Sequence, residues 1–200
     1  MKNVLIFVGP ILGLVLAGCA AGPGIRRSEA PATRVELAAH LIERLQLDKK
    51  LDVRVIVGDT GFKPASTVLS NPAKKVAIPD IADLRKKEQL DVEEIVELGV
   101  LELYPDGTFR PLENVTRLEL AQTLQRILVY SLGDNFLATK FVGSESPFSD
   151  VDNSHFAFNA IMLATTRGLM KGTAKGTFDP TGSVSGAEIL DALERLKPLL

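Results

Sequence analysis

Catalysis and metal binding draw on few residue types, and this sequence is poor in two of them: one cysteine, Cys19, and two histidines, His40 and His155, in 200 residues. A lone cysteine can neither close an internal disulfide nor build a multi-cysteine zinc site, and two imidazoles leave little for a ligand cluster or a histidine base. Carboxylates are plentiful, but three that recur in a fixed setting, Glu36, Glu119 and Glu188, each stand three residues after Thr33, Thr116 or Ser185. That is the capping box of a helix N-terminus, not an acid/base pair. The run Asp150-Val151-Asp152-Asn153 begins like a calcium loop, yet His155 and Ile161 occupy the positions that need glycine and glutamate, so an EF-hand is excluded. No paired carboxylates and no Cys-His arrangement stand outside capping positions, so neither an enzyme nor a metal or cofactor site is expected. The 23 basic and 25 acidic residues give a formal charge of −2, and the longest basic run, Arg85-Lys86-Lys87, is flanked by Asp83 and Glu88. Nothing there would hold a phosphate backbone, and nucleic acid is not an expected partner.

What remains for Cys19 follows from its surroundings. Lys2 precedes an apolar stretch, Val4 to Val15, too short to span a bilayer but suited to a secretory signal. The stretch ends in Leu16-Ala17-Gly18-Cys19, which resembles the lipobox of bacterial lipoproteins. That resemblance implies removal of residues 1–18 and lipidation of Cys19, which anchors a protein to a membrane without spanning it. Residues 19–32 are small, contain Gly and Pro and lack periodicity, and so read as a flexible tether. Ala20 after the cysteine, rather than aspartate, favours by analogy the periplasmic face of an outer membrane where the cell has one.

The elements that organise the rest belong to an internal repeat. At an offset of 69, Gly99 falls on Gly168, Gly107-Thr108-Phe109 on Gly176-Thr177-Phe178, Pro111 on Pro180, Glu119 on Glu188 and Arg126 on Arg195. Ile78-Pro79-Asp80-Ile81 matches Phe148-Ser149-Asp150-Val151 one residue out of step. Two units result, 76–130 and 146–197, with a half copy at 33–47 in which Thr33-Arg34-Val35-Glu36-Leu37-Ala38 parallels Thr116-Arg117-Leu118-Glu119-Leu120-Ala121. Each full unit reads as helix, turn-rich loop, helix. In the first, Asp91 and Glu94 have capping-box spacing, which predicts a two-turn helix bearing Val92, Ile95 and Val96 and ending at Gly99. Tyr104-Pro105-Asp106-Gly107 is a turn, Phe109 a core anchor, and Leu118, Ala121, Leu124, Ile127 and Leu128 form one helical face. Ile161 and Ala164 carry the equivalent first helix of the last unit to Gly168. Such helix pairs bury too little alone and must share a core. Residues 48–75 break the pattern, and alternating Leu51, Val53, Val55 and Val57 mark a strand.

Leu98-Gly99-Val100-Leu101-Glu102-Leu103-Tyr104-Pro105-Asp106-Gly107-Thr108-Phe109-Arg110-Pro111, followed by Val115-Thr116-Arg117-Leu118-Glu119, resembles the repeat of the S-layer homology (SLH) domain. The resemblance implies a mainly α fold in which helix-loop-helix repeats associate as a pseudo-trimer, here a partial one with a small β insert. It further implies grooves that bind cell-wall glycan, peptidoglycan or an attached polymer. By resemblance Arg117 and Arg34 would meet the sugar's carboxylate. Asp80 and Asp150 would accept sugar hydroxyls or fix the loop, and Gly99 and Gly168 would let backbone approach closely. Gly186 stands where the last unit should carry the arginine. Two functions follow: a membrane-anchored lipoprotein that tethers envelope layers through wall glycan, or an assembly lipoprotein whose degenerate repeats bind an envelope protein.

Overall fold

The computed structural model describes residues 28–47 and 77–200. Cys19, the signal segment, most of the expected tether and the insert 48–75 lie outside the described residues. The fold is mainly α, with five helices among the described residues: α1 (Arg34–Leu45), α2 (Lys86–Glu97), α3 (Arg117–Leu132), α4 (Phe158–Thr166) and α5 (Gly186–Leu196). Short 3-10 turns at Pro79–Ile81, Asn135–Ala138 and Lys197–Leu199 complete it.

The second helices of the units start alike because their caps are alike. Thr33, Thr116 and Ser185 accept from the backbone N–H three residues on, while Glu36, Glu119 and Glu188 reach back to the cap N–H at 2.7, 3.1 and 2.9 Å. Two otherwise unpaired donors are satisfied at each helix start.

The first helix of the first full unit corrects the sequence reading. It begins at Lys86, not at Asp91, because Glu88 accepts the Arg85 N–H at 3.0 Å and the Arg85 guanidinium closes on the same carboxylate. Asp91 is instead a helix-interior residue, 6% exposed, held by Lys87 four residues earlier at 2.7 Å. Lys87 also pairs with Glu43 at 2.8 Å, tying α2 to α1. The spacing that suggests a cap at Asp91 is thus an ion-paired step of a three-turn helix. Gly99 (φ 68°) and Gly168 (φ 69°) do end α2 and α4 in the left-handed conformation.

Helices pair across units: α1 packs on α2, α3 on α4, and α1 also meets α5. Three backbone hydrogen bonds close a ring at the centre. Ala32 N–H donates to Val184 (2.8 Å), Val184 N–H to Val115 (3.0 Å) and Val115 N–H to Ala32 (2.8 Å). These three residues, each directly before a cap, are almost wholly buried, so the ring lies on a pseudo-threefold axis. Phe109 and Phe178, both 0% exposed, anchor the loops in the shared core.

The ring also corrects the tether. Residues 28–32 are built into the body: the N–H groups of Gly186 and Ala187 donate to Ala30 and Ser28 at 3.3 and 2.9 Å. Arg34 and Val35 bond Glu113 and Pro111 in the same way, and Arg117 and Leu118 bond Gly182 and Pro180. Each second helix therefore docks its N-terminus on a neighbouring loop, and Ser28–Ala32 is the loop that serves α5. The half unit carries this loop as well as a helix.

Candidate functional site

The sites predicted from sequence lie at the junctions between units. Asp80 accepts the N–H groups of Phe109 (2.9 Å) and Arg110 (2.6 Å), one on each carboxylate oxygen. Asp150 does the same for Phe178 (2.8 Å) and Asp179 (2.7 Å). These bonds hold Arg110 and Asp179 at φ 56° and 59°, a left-handed backbone that side chains other than glycine disfavour. Burial opposes ionisation of Asp150, but the Phe178 and Asp179 N–H bonds outweigh it and keep its carboxyl below the usual range. Both aspartates are occupied in setting the loop.

The loops set in this way receive arginines from the preceding unit. Arg34 leaves the first turn of α1 and crosses to the first full unit, where its Nε donates to the Phe109 carbonyl (2.7 Å) and its Nη2 to the Glu102 carbonyl (2.8 Å). Its Nη1 pairs with Glu119, whose other oxygen caps α3. The guanidinium lies 4.7 Å from the Phe109 ring centre and 4.9 Å from that of Tyr104. Arg117 repeats the pattern one unit on: Nε to Phe178 (2.7 Å), Nη2 to Lys171 (2.5 Å), Nη1 to Glu188 (3.1 Å), with the Phe178 ring 4.8 Å away. Three of the five N–H donors of each arginine are thus committed inside the protein. Their side chains are 5% and 11% exposed. A cation at a helix N-terminus is disfavoured by the dipole, and these contacts are what offset that cost.

Beside Arg34 lies an open cleft of about 170 Å³, lined by Glu102, Tyr104, Glu119, Gln122, Thr123 and Arg126 among others. Arg126 pairs with Glu102 at 2.5 Å and remains 21% exposed at the cleft edge. Tyr104 donates its hydroxyl to Glu113 at 3.0 Å, and Arg110 stacks on its ring at 3.9 Å. The cleft combines an aromatic side chain, a carboxylate, an amide and a guanidinium, an arrangement able to hold a polyhydroxylated ligand. Asp80 does not line this cleft; it fixes the loop through the Phe109 and Arg110 N–H groups. Asp150 and Arg117 belong to the next junction, where Thr173 replaces Tyr104. Gly99 faces the Tyr130 hydroxyl, which a Cβ would meet at 3.5 Å, whereas a Cβ on Gly168 would meet open space.

Sequence reasoning missed Gln122, Thr123 and Arg126 as cleft residues. Their signal was present, since they follow Glu119 at helical spacing and Arg126 recurs as Arg195. Among the described residues there is no cluster of metal-ligating side chains, and no helix long and apolar enough to cross a membrane.

Comparison with known proteins reaches the same segments. Residues 81–121 and 147–190 match the S-layer homology domain family. The chain is 41% identical over 85 residues, 42% of its length, to cell surface glycoprotein 1 of Acetivibrio thermocellus. It is 38% identical over 85 residues to the cellulosome-anchoring protein of the same organism. It covers 3% of the first relative and 18% of the second.

Proposed function

We infer that the protein is a non-catalytic lipoprotein of the cell envelope that holds cell-wall glycan through its SLH repeats and so ties a membrane to the wall. The reading rests on one observation above others: the cleft beside Arg34, where the half unit meets a unit that matches the SLH family, offers polar groups suited to a sugar at its rim. Gln122 and Arg126 supply donors for hydroxyls or a carboxylate beside the Tyr104 side chain. Arg34 lines the cleft, Asp80 fixes the loop that carries Phe109 and Arg110, and Gly99 ends α2 ahead of that loop. Arg117, Asp150 and Gly168 are the corresponding residues at the second junction, where Arg117 bonds the Phe178 carbonyl and Asp150 the Phe178 and Asp179 N–H groups. The membrane end is Cys19, lipidated after cleavage of residues 1–18, at the periplasmic face of the outer membrane where the cell has one.

A pulldown on purified sacculi tests this. Gln122→Ala/Arg126→Ala removes the rim donors along with the Arg126 bonds to Glu102 and the Val100 carbonyl, and should reduce retention several-fold while circular dichroism shows helical content unchanged. Equal retention of the native and double-variant proteins would refute the glycan reading. The second reading, an envelope protein as partner, is favoured by the exposure of Phe136 (65%), Val142 (72%) and Phe156 (77%). Envelope crosslinking that gives glycan adducts and no protein adducts counts against it.

A further inference from the structure

The cleft beside Arg34 is lined by four charged side chains, the guanidiniums of Arg34 and Arg126 and the carboxylates of Glu102 and Glu119. Each cation is paired: Arg34 Nη1 with Glu119, and Arg126 Nη2 with Glu102 at 2.5 Å. The charges cancel, so the lining has no surplus to draw in an anion. Its hydrogen-bonding capacity toward a ligand is mixed. Thr123 commits its hydroxyl to the Glu119 carbonyl at 2.8 Å, and Tyr104 commits its own to Glu113. The Gln122 amide both donates and accepts, Arg126 donates, and Glu102, 47% exposed, only accepts. A sugar hydroxyl or acetamido group can give and take a hydrogen bond, and so can meet all three. A sugar carboxylate can only accept, and at Arg126 it would stand beside the like charge of Glu102.

The second junction shows that Glu102 is not needed to hold its arginine. The repeat offset of 69 carries Glu102 to Lys171, Gln122 to Asp191, Thr123 to Ala192 and Arg126 to Arg195. Arg195 Nη1 donates to the Leu169 carbonyl at 3.4 Å, as Arg126 Nη1 donates to the equivalent Val100 carbonyl at 3.4 Å. The arginine is thus placed in the same way with a lysine at the position of Glu102. Its ion pair is with Asp191 of its own helix at 3.9 Å, and its side chain is 43% exposed against 21% for Arg126. Glu102 therefore sets the charge of the first cleft rather than its shape, and the same position carries the opposite sign one unit on.

Resting on the glycan reading above, we propose that the first cleft takes an uncharged sugar, held through hydroxyl or acetamido groups, and that Glu102 turns away a carboxylated one. Selection of this kind works through repulsion of the wrong ligand as much as attraction of the right one. Arg126 still serves a neutral sugar as a donor, while its charge is answered from within the protein before any ligand arrives. An anion would have to displace Glu102 from Arg126 and leave that carboxylate unpaired next to it.

Retention of the full-length protein on two preparations of sacculi, untreated and with carboxylates capped as methylamides, tests this. The share of retention due to the first cleft is the difference between native protein and Gln122→Ala/Arg126→Ala. That difference should persist on capped sacculi. Glu102→Gln keeps a side-chain oxygen for Arg126 and removes the repelling charge. It should raise retention on untreated sacculi by about tenfold, the effect of relieving one like-charge contact, and leave retention on capped sacculi unchanged. A difference seen on untreated sacculi and lost on capped ones overturns the proposal. So does a Glu102→Gln protein held by untreated sacculi no better than the native one. A difference absent from both preparations overturns the glycan reading itself, and the proposal with it.

Discussion

Replacing Arg34 by alanine removes three hydrogen bonds at once and leaves the Phe109 and Glu102 carbonyls and the Glu119 carboxylate without them. Two terms favour the variant: alanine is the better helix former, and a cation leaves a helix N-terminus, together worth about 1 kcal/mol or less. Against them stands the breaking of a nearly buried ion pair, which costs about 3–5 kcal/mol. The loss therefore wins, by about 3 kcal/mol, and with a urea dependence of about 2 kcal/mol per molar the unfolding midpoint should fall by about 1.5 M. Arg117→Ala removes the same set of bonds, but its carboxylate partner is 50% exposed where Glu119 is 22% exposed. Water can re-solvate Glu188, so the cost should be smaller, about 1–2 kcal/mol, with a midpoint fall of under about 1 M. Arg34→Lys should lie close to Arg34→Ala, since one ammonium cannot span two carbonyls and a carboxylate held in a planar fork. Urea denaturation followed by far-UV circular dichroism measures all three. A loss below 1 kcal/mol for Arg34→Ala, or a larger loss for Arg117→Ala, refutes the claim that these arginines lock the units together.

Asp80→Asn leaves one acceptor oxygen where the carboxylate offers two, so the amides of Phe109 and Arg110 should exchange with deuterium faster by tenfold or more, with a stability loss of about 2 kcal/mol. Burial lowers the affinity of His40 for protons below that of a free imidazole, whose ordinary pKa is about 6.5. The unfolded chain then binds the proton more readily, so the stability held above pH 6.5 should decline as the pH drops below it; in His40→Gln that part of the decline should vanish in urea titrations at pH 7.5 and 5.5. Cys19→Ser should abolish incorporation of labelled palmitate and release the protein from the membrane fraction. Persistent membrane association without label would refute the assignment of Cys19.

The repeat, the three caps and the core anchors were legible in the sequence because each depends on near neighbours in the chain. Thr33, Thr116 and Ser185 meet a glutamate three residues on, whatever the rest of the chain does. Phe109 and Phe178 follow a turn signal that places them inward. Such features need only helix geometry and turn chemistry. Asp91 misled because local spacing has two readings: a carboxylate three residues before a glutamate can cap a helix, or it can sit inside one, paired with the lysine a turn earlier. The Arg85–Glu88 cap upstream starts the helix earlier and so puts Asp91 in the second setting, where the contact of Lys87 with Glu43 across α1 and α2 holds it.

The roles of the site residues were decided by tertiary structure, since their partners lie far along the chain. Asp80 and Phe109 are 29 residues apart, Arg117 and Phe178 61, and Arg34 and Phe109 75. Sequence alone identified Arg34, Arg117, Asp80 and Asp150 as special, but no spacing rule says whether a guanidinium turns to a ligand or to a neighbouring unit. Closure of the ring through Ala32, Val115 and Val184 settles it. Once the three units share an axis, each helix N-terminus faces the next loop, and each arginine finds carbonyls, a ring and a carboxylate already in place.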